Sequence, residues 1–170
     1  MGETESAGRL DGLDRATALR ALGFVVGVNL VGALPTVVAG PNTEWFRELT
    51  KPALYPPSWA FGVAWTLLFT LLGIALFLVW RAGTDDRRVR VAIGLFAVQM
   101  AFNVAWTPVF FGLEALRPAL GVIAILAVLV VATVVAFDRV DRRAAALLVP
   151  YLAWVLFATY LNYGFWRLNA

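Results

Sequence analysis

The chain has 170 residues, of which 61% are hydrophobic and 15% are charged, and its formal net charge is +3. Soluble domains are only about 45–50% apolar, so this composition argues against a soluble globular protein. The sequence has no cysteine and no histidine, which excludes disulfides and thiol nucleophiles and removes the commonest metal ligand and general base. Its arginines lie in the loops, so there is no basic face for a nucleic acid.

The sequence contains five apolar stretches of about twenty residues or more, each long enough to cross a hydrocarbon core of about 30 Å. They cover residues 19–38, 58–80, 89–113, 119–137 and 144–166. The apolar runs are continuous rather than alternating, and the connections are short. We therefore predict an all-α membrane protein with a five-transmembrane-helix bundle over residues 19–170, preceded by a polar, disordered lead-in over residues 1–18.

The first stretch has one competing interpretation. Val37, Val38 and Ala39 resemble a signal-peptide cleavage site. Cleavage there would remove a helix that the following loop is built to follow, and the stretch is long for a signal peptide. Most of the fourteen lysines and arginines fall on the side of the amino terminus and of the second and fourth loops. The positive-inside rule therefore predicts an internal amino terminus and an external carboxyl terminus.

The first connection, between residues 38 and 58, is rich in proline and aromatic residues. Proline fixes φ and removes a backbone donor, so this loop is expected to be stiff. We predict that it forms a lid over a cavity on the outer side. The lid residues are Trp45, Lys51, Pro52, Pro56, Pro57 and Trp59.

The third stretch carries amide and aromatic side chains at intervals of four, three and four residues, which places them on one helix face. They are Gln99, Asn103, Trp106 and Phe110. The second stretch has a similar stripe made of Ser58, Phe61 or Gly62, Trp65 and Phe69. Near the outer end of the fifth stretch lie Thr159, Asn162, Tyr163 and Trp166.

Amides are costly in hydrocarbon, so these faces are expected to point into the bundle or a cavity. Interior aromatic faces with a few amides suit a flat, largely apolar ligand that carries some polar groups. The alternative is that the amides bond between helices and bind nothing.

Three spaced motifs resemble those of one membrane-protein family. The loop motif consists of Trp45, Phe46, Leu49, Lys51, Pro52, Pro56 and Pro57. The third stretch supplies Asn103, Trp106, Phe110 and Phe111, and the fifth supplies Pro150, Tyr151, Trp154, Phe157, Ala158, Leu161 and Asn162. In this order they resemble the TspO/MBR family, the tryptophan-rich sensory proteins and mitochondrial translocator proteins also called peripheral benzodiazepine receptors.

The resemblance implies a five-helix bundle, usually dimeric, that needs no cofactor and binds porphyrins such as protoporphyrin IX or haem-related compounds. Some members bind sterols or benzodiazepine-like ligands. The implied pocket contains Phe46, Trp65, Asn103, Trp106, Phe110, Trp154 and Asn162, to which the stripes add Phe69, Gln99 and Tyr163.

Two positions depart from the family pattern. Phe46 lacks the hydroxyl of the family's loop tyrosine. Tyr163 stands where some bacterial members have a tryptophan linked to light-dependent porphyrin breakdown, which puts that chemistry in doubt. Leu161, Tyr163 and Arg167 also fit a sterol-recognition pattern, or else form an interfacial cluster at a helix end.

The sequence leaves three functions open. The chain is a binding or sensory protein for tetrapyrroles, a transporter of such ligands or of lipids, or a photochemical enzyme that degrades porphyrin. Acid–base catalysis has no candidate residues, so an enzyme would have to act through its indoles. Small residues at Ala97, Ala101 and Ala105 suit a homodimer seam on the third helix, and Gly23 and Gly27 offer a rival seam.

Overall fold

A computed structural model describes the backbone from Gly2 and the side chains from Asp14 to Ala170. Its long helices are α1 (Gly2–Ala33), α4 (Ser58–Trp80), α5 (Arg87–Thr107), α6 (Leu116–Asp138) and α7 (Arg142–Asn169). Among the residues described, five helical segments are long and apolar enough to span a membrane. The predicted five-helix, all-α architecture is therefore confirmed.

The disordered lead-in falls mostly on residues of whose side chains nothing is described. The backbone of residues 2–18 belongs to α1. The side chains of residues 1–13 lie outside the described part, so disorder there stays a prediction.

Two short helices lie in the connection between α1 and α4. α1 ends at Ala33, and α2 (Pro35–Val38) restarts the helix with its proline in the first turn, where the missing backbone donor costs nothing. α3 (Glu44–Glu48) begins at Thr43, whose Oγ1 accepts a hydrogen bond from the Phe46 amide at 3.2 Å. From here on, the lid denotes residues 40–57. It holds one turn of capped helix followed by an extended, proline-rich segment.

The spanning helices pack in the ring order α1, α4, α7, α6, α5, with α5 returning to α1. Close approach of α1 and α4 depends on Gly73, because a Cβ there would lie 2.5 Å from the Cα of Val25. Aliphatic side chains such as Leu72, Val130 and Leu148 fill the centre of the half remote from the lid. α1 is the least buried spanning helix, so it forms the thinnest wall of the bundle.

Candidate functional site

A cavity of about 400 Å³ lies between the helices directly beneath the lid. Every spanning helix contributes to its wall, and Phe46 and Tyr55 reach it from the lid. The wall is mostly apolar and aromatic, with a few amides and hydroxyls. The exposed residues Thr36, Gly62 and Thr66 also line it, so the cavity opens sideways between α4 and the lid end of the α1–α2 segment.

Eight of the ten residues predicted to bind a ligand line this one cavity. They are Phe46, Trp65, Phe69, Asn103, Trp106, Phe110, Trp154 and Asn162. The stripes on the second and third stretches thus face the same space. Whether they hold a ligand there stays a prediction.

Gln99 and Tyr163 are not part of the cavity lining. Gln99 is fully buried behind the wall, where its Oε1 accepts a hydrogen bond from the Tyr151 hydroxyl at 2.8 Å. Tyr163 is 47% exposed on the outside of α7, and its ring lies 5.8 Å from that of Trp166. On α5 the predicted stripe extends one helical turn beyond the cavity, to Gln99. On α7, Tyr163 lies on a face that points away from the cavity.

The sterol pattern is divided between two faces of α7. Leu161 is buried and lines the cavity, whereas Tyr163 and Arg167 are exposed. These three side chains do not form one surface. Sterol recognition through them stays a prediction.

Phe46 is the centre of an aromatic cluster that joins the lid to the bundle. Its ring centroid lies 5.0 Å from that of Phe111, 5.6 Å from that of Phe165 and 6.2 Å from those of Phe110 and Tyr55. Tilted and edge-on pairs of this kind stabilise beyond the area they bury. The family's loop hydroxyl is absent at this position, and the site is filled by ring-to-ring packing.

A π-helical turn, Pro108–Gly112, ends α5 and shapes the cavity wall. The Leu113 amide donates to the Pro108 carbonyl at 2.9 Å, which closes the wider turn. Single π-helical turns occur frequently at functional sites. Here the turn brings the consecutive residues Phe110 and Phe111 to the same cavity, which ordinary α-helical spacing did not predict.

Asn162 joins three elements at the lid end of the cavity. Its Oδ1 accepts a hydrogen bond from Trp106 Nε1 at 3.0 Å, and its Nδ2 donates to the Leu116 carbonyl at 2.9 Å. The interhelical role that the sequence left open for the amides is thus observed at this residue, which also lines the cavity.

Asn103 forms a second polar contact deeper in the cavity. Its Nδ2 donates to the Tyr151 hydroxyl at 3.0 Å. Tyr151 is fully buried behind the wall, with its ring 6.4 Å from that of Trp65. Trp154 Nε1, also in the wall, is buried and has no hydrogen-bond partner among residues 14–170.

The lid is held to the end of α7 by polar and steric contacts. The Asn169 side chain accepts from the Thr50 amide at 2.8 Å and donates to the Thr50 carbonyl at 3.0 Å. Pro52 is buried against Gly164, where a Cβ would meet the proline ring at 2.8 Å. Lys51 lies 5.8 Å and 5.7 Å from the ring centres of Phe46 and Tyr55, close enough for cation–π attraction.

The other predicted lid residues take different positions. Trp45 packs with its ring 6.0 Å from that of Phe110. Pro56 is half-buried and Pro57 precedes α4 as its cap. Trp59 is 71% exposed and faces away from the cavity, so it does not cover it.

The sequence did not predict Phe165 or Tyr55 as cavity residues. Phe61 was predicted only as one of two alternatives in the stripe of the second stretch. Phe165 is buried, and it follows Asn162 by three residues on the same helix face. Counting from Tyr151 through Trp154, Ala158 and Asn162 would have found it. Tyr55 had no such signal, because its position depends on the path of the lid.

The chemistry of the cavity is that of a binding site. Among its described lining residues there is no aspartate, glutamate, lysine or arginine. Burial raises the pKa of Tyr55 above its usual value, so its phenol stays neutral and can donate a hydrogen bond. The wall offers rings for stacking, the three amides of Asn29, Asn103 and Asn162, and indole donors.

Sequence comparisons agree with this architecture. The profile of the TspO/MBR family matches residues 21–167. The chain is 38% identical to the tryptophan-rich protein TspO of Chlorobaculum tepidum over 153 residues, which cover 90% of this chain and 96% of that protein. It is 39% identical to the translocator protein of Homo sapiens over 153 residues (88% and 89%). It is 41% identical to the tryptophan-rich sensory protein of Cereibacter sphaeroides over 126 residues (74% and 77%).

Proposed function

The chain belongs to the TspO/MBR family of integral, multi-pass membrane proteins, and from that premise we propose that it binds porphyrins or similar flat apolar ligands beneath the lid. The observation that carries the proposal is the cavity of about 400 Å³ with an aromatic wall and a few amides. Ligand sites of this kind are concave and largely apolar, with a small number of polar groups that fix orientation.

Three features support a flat ligand in particular. Trp65 and Phe69 stack with their centroids 5.2 Å apart, and Trp154 meets Trp65 edge-on at 6.3 Å. Together they present broad, rigid apolar faces. The sideways opening between α4 and the α1–α2 segment gives a membrane-dissolved ligand a route that does not cross the lid. Sterol-like and benzodiazepine-like molecules fit the same description.

The test is quenching of tryptophan fluorescence by protoporphyrin IX in purified, detergent-solubilised protein. We expect saturable quenching, and we expect Trp65→Ala and Asn103→Ala each to weaken binding by about tenfold, or about 1.4 kcal/mol. Trp59→Ala is the matched control, because it removes an indole that faces away from the cavity. Normal binding by both cavity variants in folded protein would refute the proposal.

Transport is the second function in view, because relatives of this chain carry the name translocator protein. Ionisable residues inside a membrane mark ion and proton pathways, and the described cavity wall has no acidic residue. Porphyrin flux into proteoliposomes decides between transport and binding. A flux above that of protein-free vesicles would favour transport.

Photochemical breakdown of porphyrin is the third function. The indoles of Trp65, Trp106 and Trp154 line the cavity, whereas Tyr163 lies outside it. Identical absorption spectra of bound porphyrin before and after illumination in oxygen would exclude this activity.

We also propose that the lid faces outward and that the protein forms a homodimer. Ala97, Ala101 and Ala105 lie exposed along α5, and exposed Gly23 and Gly27 form the rival seam on α1. Since the chain has no cysteine, single cysteines at Ala97 and Gly27 can be crosslinked to choose between these seams. Cysteines at Lys51 and Arg142, labelled from one side of the membrane, test the orientation.

A further inference from the structure

Three amides line the cavity, and they differ in the kind of partner that holds them. Asn29 Nδ2 donates to the Val25 carbonyl at 3.0 Å and to Thr70 Oγ1 at 3.3 Å. Asn162 is bonded to an indole N–H, which can only donate, and to a backbone carbonyl, which can only accept. Its orientation is therefore fixed. Asn103 is bonded to the Tyr151 hydroxyl, which can donate and accept.

The Tyr151 hydroxyl connects Asn103 to Gln99. It accepts from Asn103 Nδ2 at 3.0 Å and donates to Gln99 Oε1 at 2.8 Å. Asn103 Oδ1 makes no hydrogen bond within residues 14–170, so a carbonyl oxygen is the polar end that this orientation leaves for the cavity. The other end of the relay is Gln99 Nε2, which is buried and has no partner in the described chain.

The same three side chains can form the opposite chain of hydrogen bonds. If both amides rotate by half a turn, Gln99 Nε2 donates to the Tyr151 oxygen and the Tyr151 hydroxyl donates to Asn103 Oδ1. Asn103 then presents Nδ2, a donor, to the cavity. Oxygen and nitrogen of an amide are nearly equal in size, so the heavy-atom positions hardly change and no covalent bond breaks.

Both orientations contain two hydrogen bonds and leave one end of the Gln99 amide without a partner. The count of hydrogen bonds favours neither orientation, so one additional hydrogen bond from a ligand would shift the population towards the orientation that forms it. We propose that Gln99 and Tyr151 are positioning residues that reverse the hydrogen-bonding polarity of Asn103 to suit a ligand. The cavity would thus take flat apolar ligands that carry either an acceptor or a donor.

This proposal rests on the cavity being the ligand site, and its test uses three tricyclic aromatic probes of similar shape. Carbazole carries an N–H donor, acridine carries a ring-nitrogen acceptor, and anthracene carries neither. Binding is measured by competition with protoporphyrin IX at mildly alkaline pH, where acridine is uncharged. We expect the wild-type protein to bind carbazole and acridine each about fivefold more tightly than anthracene, the value of one net hydrogen bond.

Gln99→Met removes one end of the relay and keeps its approximate shape. The Tyr151 hydroxyl then has only Asn103 Oδ1 to donate to, so Asn103 is held with its donor in the cavity. We expect this variant to keep its preference for acridine and to lose about fivefold in carbazole affinity. If Gln99 had only a structural role, Gln99→Met would lower the affinities for carbazole and acridine equally.

Tyr151→Phe supplies the second arm, because it disconnects Gln99 from Asn103. In that background, Gln99→Met should leave the ratio of carbazole to acridine affinity unchanged. Thr133→Val is the matched control for folding, since Thr133 is also a buried polar residue but lies outside the cavity and the relay. The control should keep both wild-type preferences.

The outcomes separate the two proposals. If protoporphyrin IX binds and is displaced but Gln99→Met changes carbazole and acridine affinity equally, the relay is wrong and the proposed function stands. A wild-type protein that prefers only one of the two polar probes to anthracene also refutes the relay. If neither protoporphyrin IX nor any probe binds the folded protein, the proposed function fails, and the relay fails with it.

Discussion

Along its axis the bundle has two unlike halves. The half under the lid consists of aromatic rings around a cavity, held by Phe46, Phe110 and Phe165. The half remote from the lid is filled by aliphatic side chains and a few aromatic pairs such as Phe96 and Phe137, and Gly73 lets α1 and α4 touch. We therefore expect the two halves to have different roles. Close packing in the remote half stabilises the fold, and the loosely filled half under the lid leaves space for a ligand.

The largest expected effect is a loss of stability in Gly73→Ala, a substitution in the remote half of the bundle. The added Cβ would lie 2.5 Å from the Cα of Val25, and backbone cannot move aside as a side chain can. We expect a loss of about 3 kcal/mol of unfolding free energy, at the upper end for overpacked sites. Thermal unfolding in detergent measures it, with Gly94→Ala as control, since a Cβ there meets nothing within 4 Å. Equal stability of the two variants would contradict the division into halves.

Phe46→Ala alters the half under the lid. We expect it to lower ligand affinity much more than the stability of the fold. In a core, loss of a phenylalanine costs about 3–5 kcal/mol, but here the lid can open locally and limit the cost to the global fold. We expect porphyrin affinity to fall about thirtyfold, or about 2 kcal/mol, with little change in the melting temperature. Cooperative unfolding at a much lower temperature would show that the lid and the bundle form one unit.

Asn169→Ala tests the polar attachment of the lid. It removes the paired hydrogen bonds to Thr50 but leaves the aromatic cluster in place. We expect porphyrin to dissociate about fivefold faster, because a net hydrogen bond contributes about 1 kcal/mol. Stopped-flow fluorescence measures the rate, and Leu168→Ala, at an exposed neighbouring position, is the control. An unchanged rate would mean that ring packing alone holds the lid.

The smallest effect is a dependence of the lid on alkaline pH. Burial raises the pKa of Tyr55 above its ordinary value, so the phenol is neutral in the folded lid. A raised pKa contributes stability that is present below the unfolded value and is lost as the pH rises through the folded value. Protease cleavage of the lid should therefore increase only once the pH exceeds the ordinary tyrosine value, and Tyr55→Phe should abolish the dependence. Cleavage that increases near neutral pH in both proteins would contradict it.

The sequence predicted the helices well because each spanning segment must satisfy its own backbone in hydrocarbon, which leaves long apolar runs. It also predicted the face that carries Asn103, Trp106 and Phe110, since helical spacing fixes which residues share a side. Spacing alone did not fix how deep that face meets the cavity. Gln99 therefore proved to lie behind the wall, hydrogen-bonded to a tyrosine 52 positions away.

The remaining differences arise where local rules and tertiary packing diverge. The π-turn at Pro108 brings Phe111 to the cavity, and nothing in α-helical periodicity predicts the wider turn. On α7, the aromatic residue that faces inward is Phe165, and Tyr163, two positions earlier, faces outward, because two residues along a helix turn the side chain by about 200°. A motif marks the region of a site more reliably than the direction of each side chain in it.

The attachment of Asn169 to Thr50 closes a loop of chain 119 residues long, which passes through α4, α5, α6 and α7. The lid is therefore mechanically coupled to the end of α7. Because Asn169 is the last residue of α7, a displacement of that helix end would be transmitted to Thr50 in the lid. The same contact matters for fusion proteins. A tag fused after Ala170 begins one residue from Asn169, so we expect it to disturb the attachment of the lid.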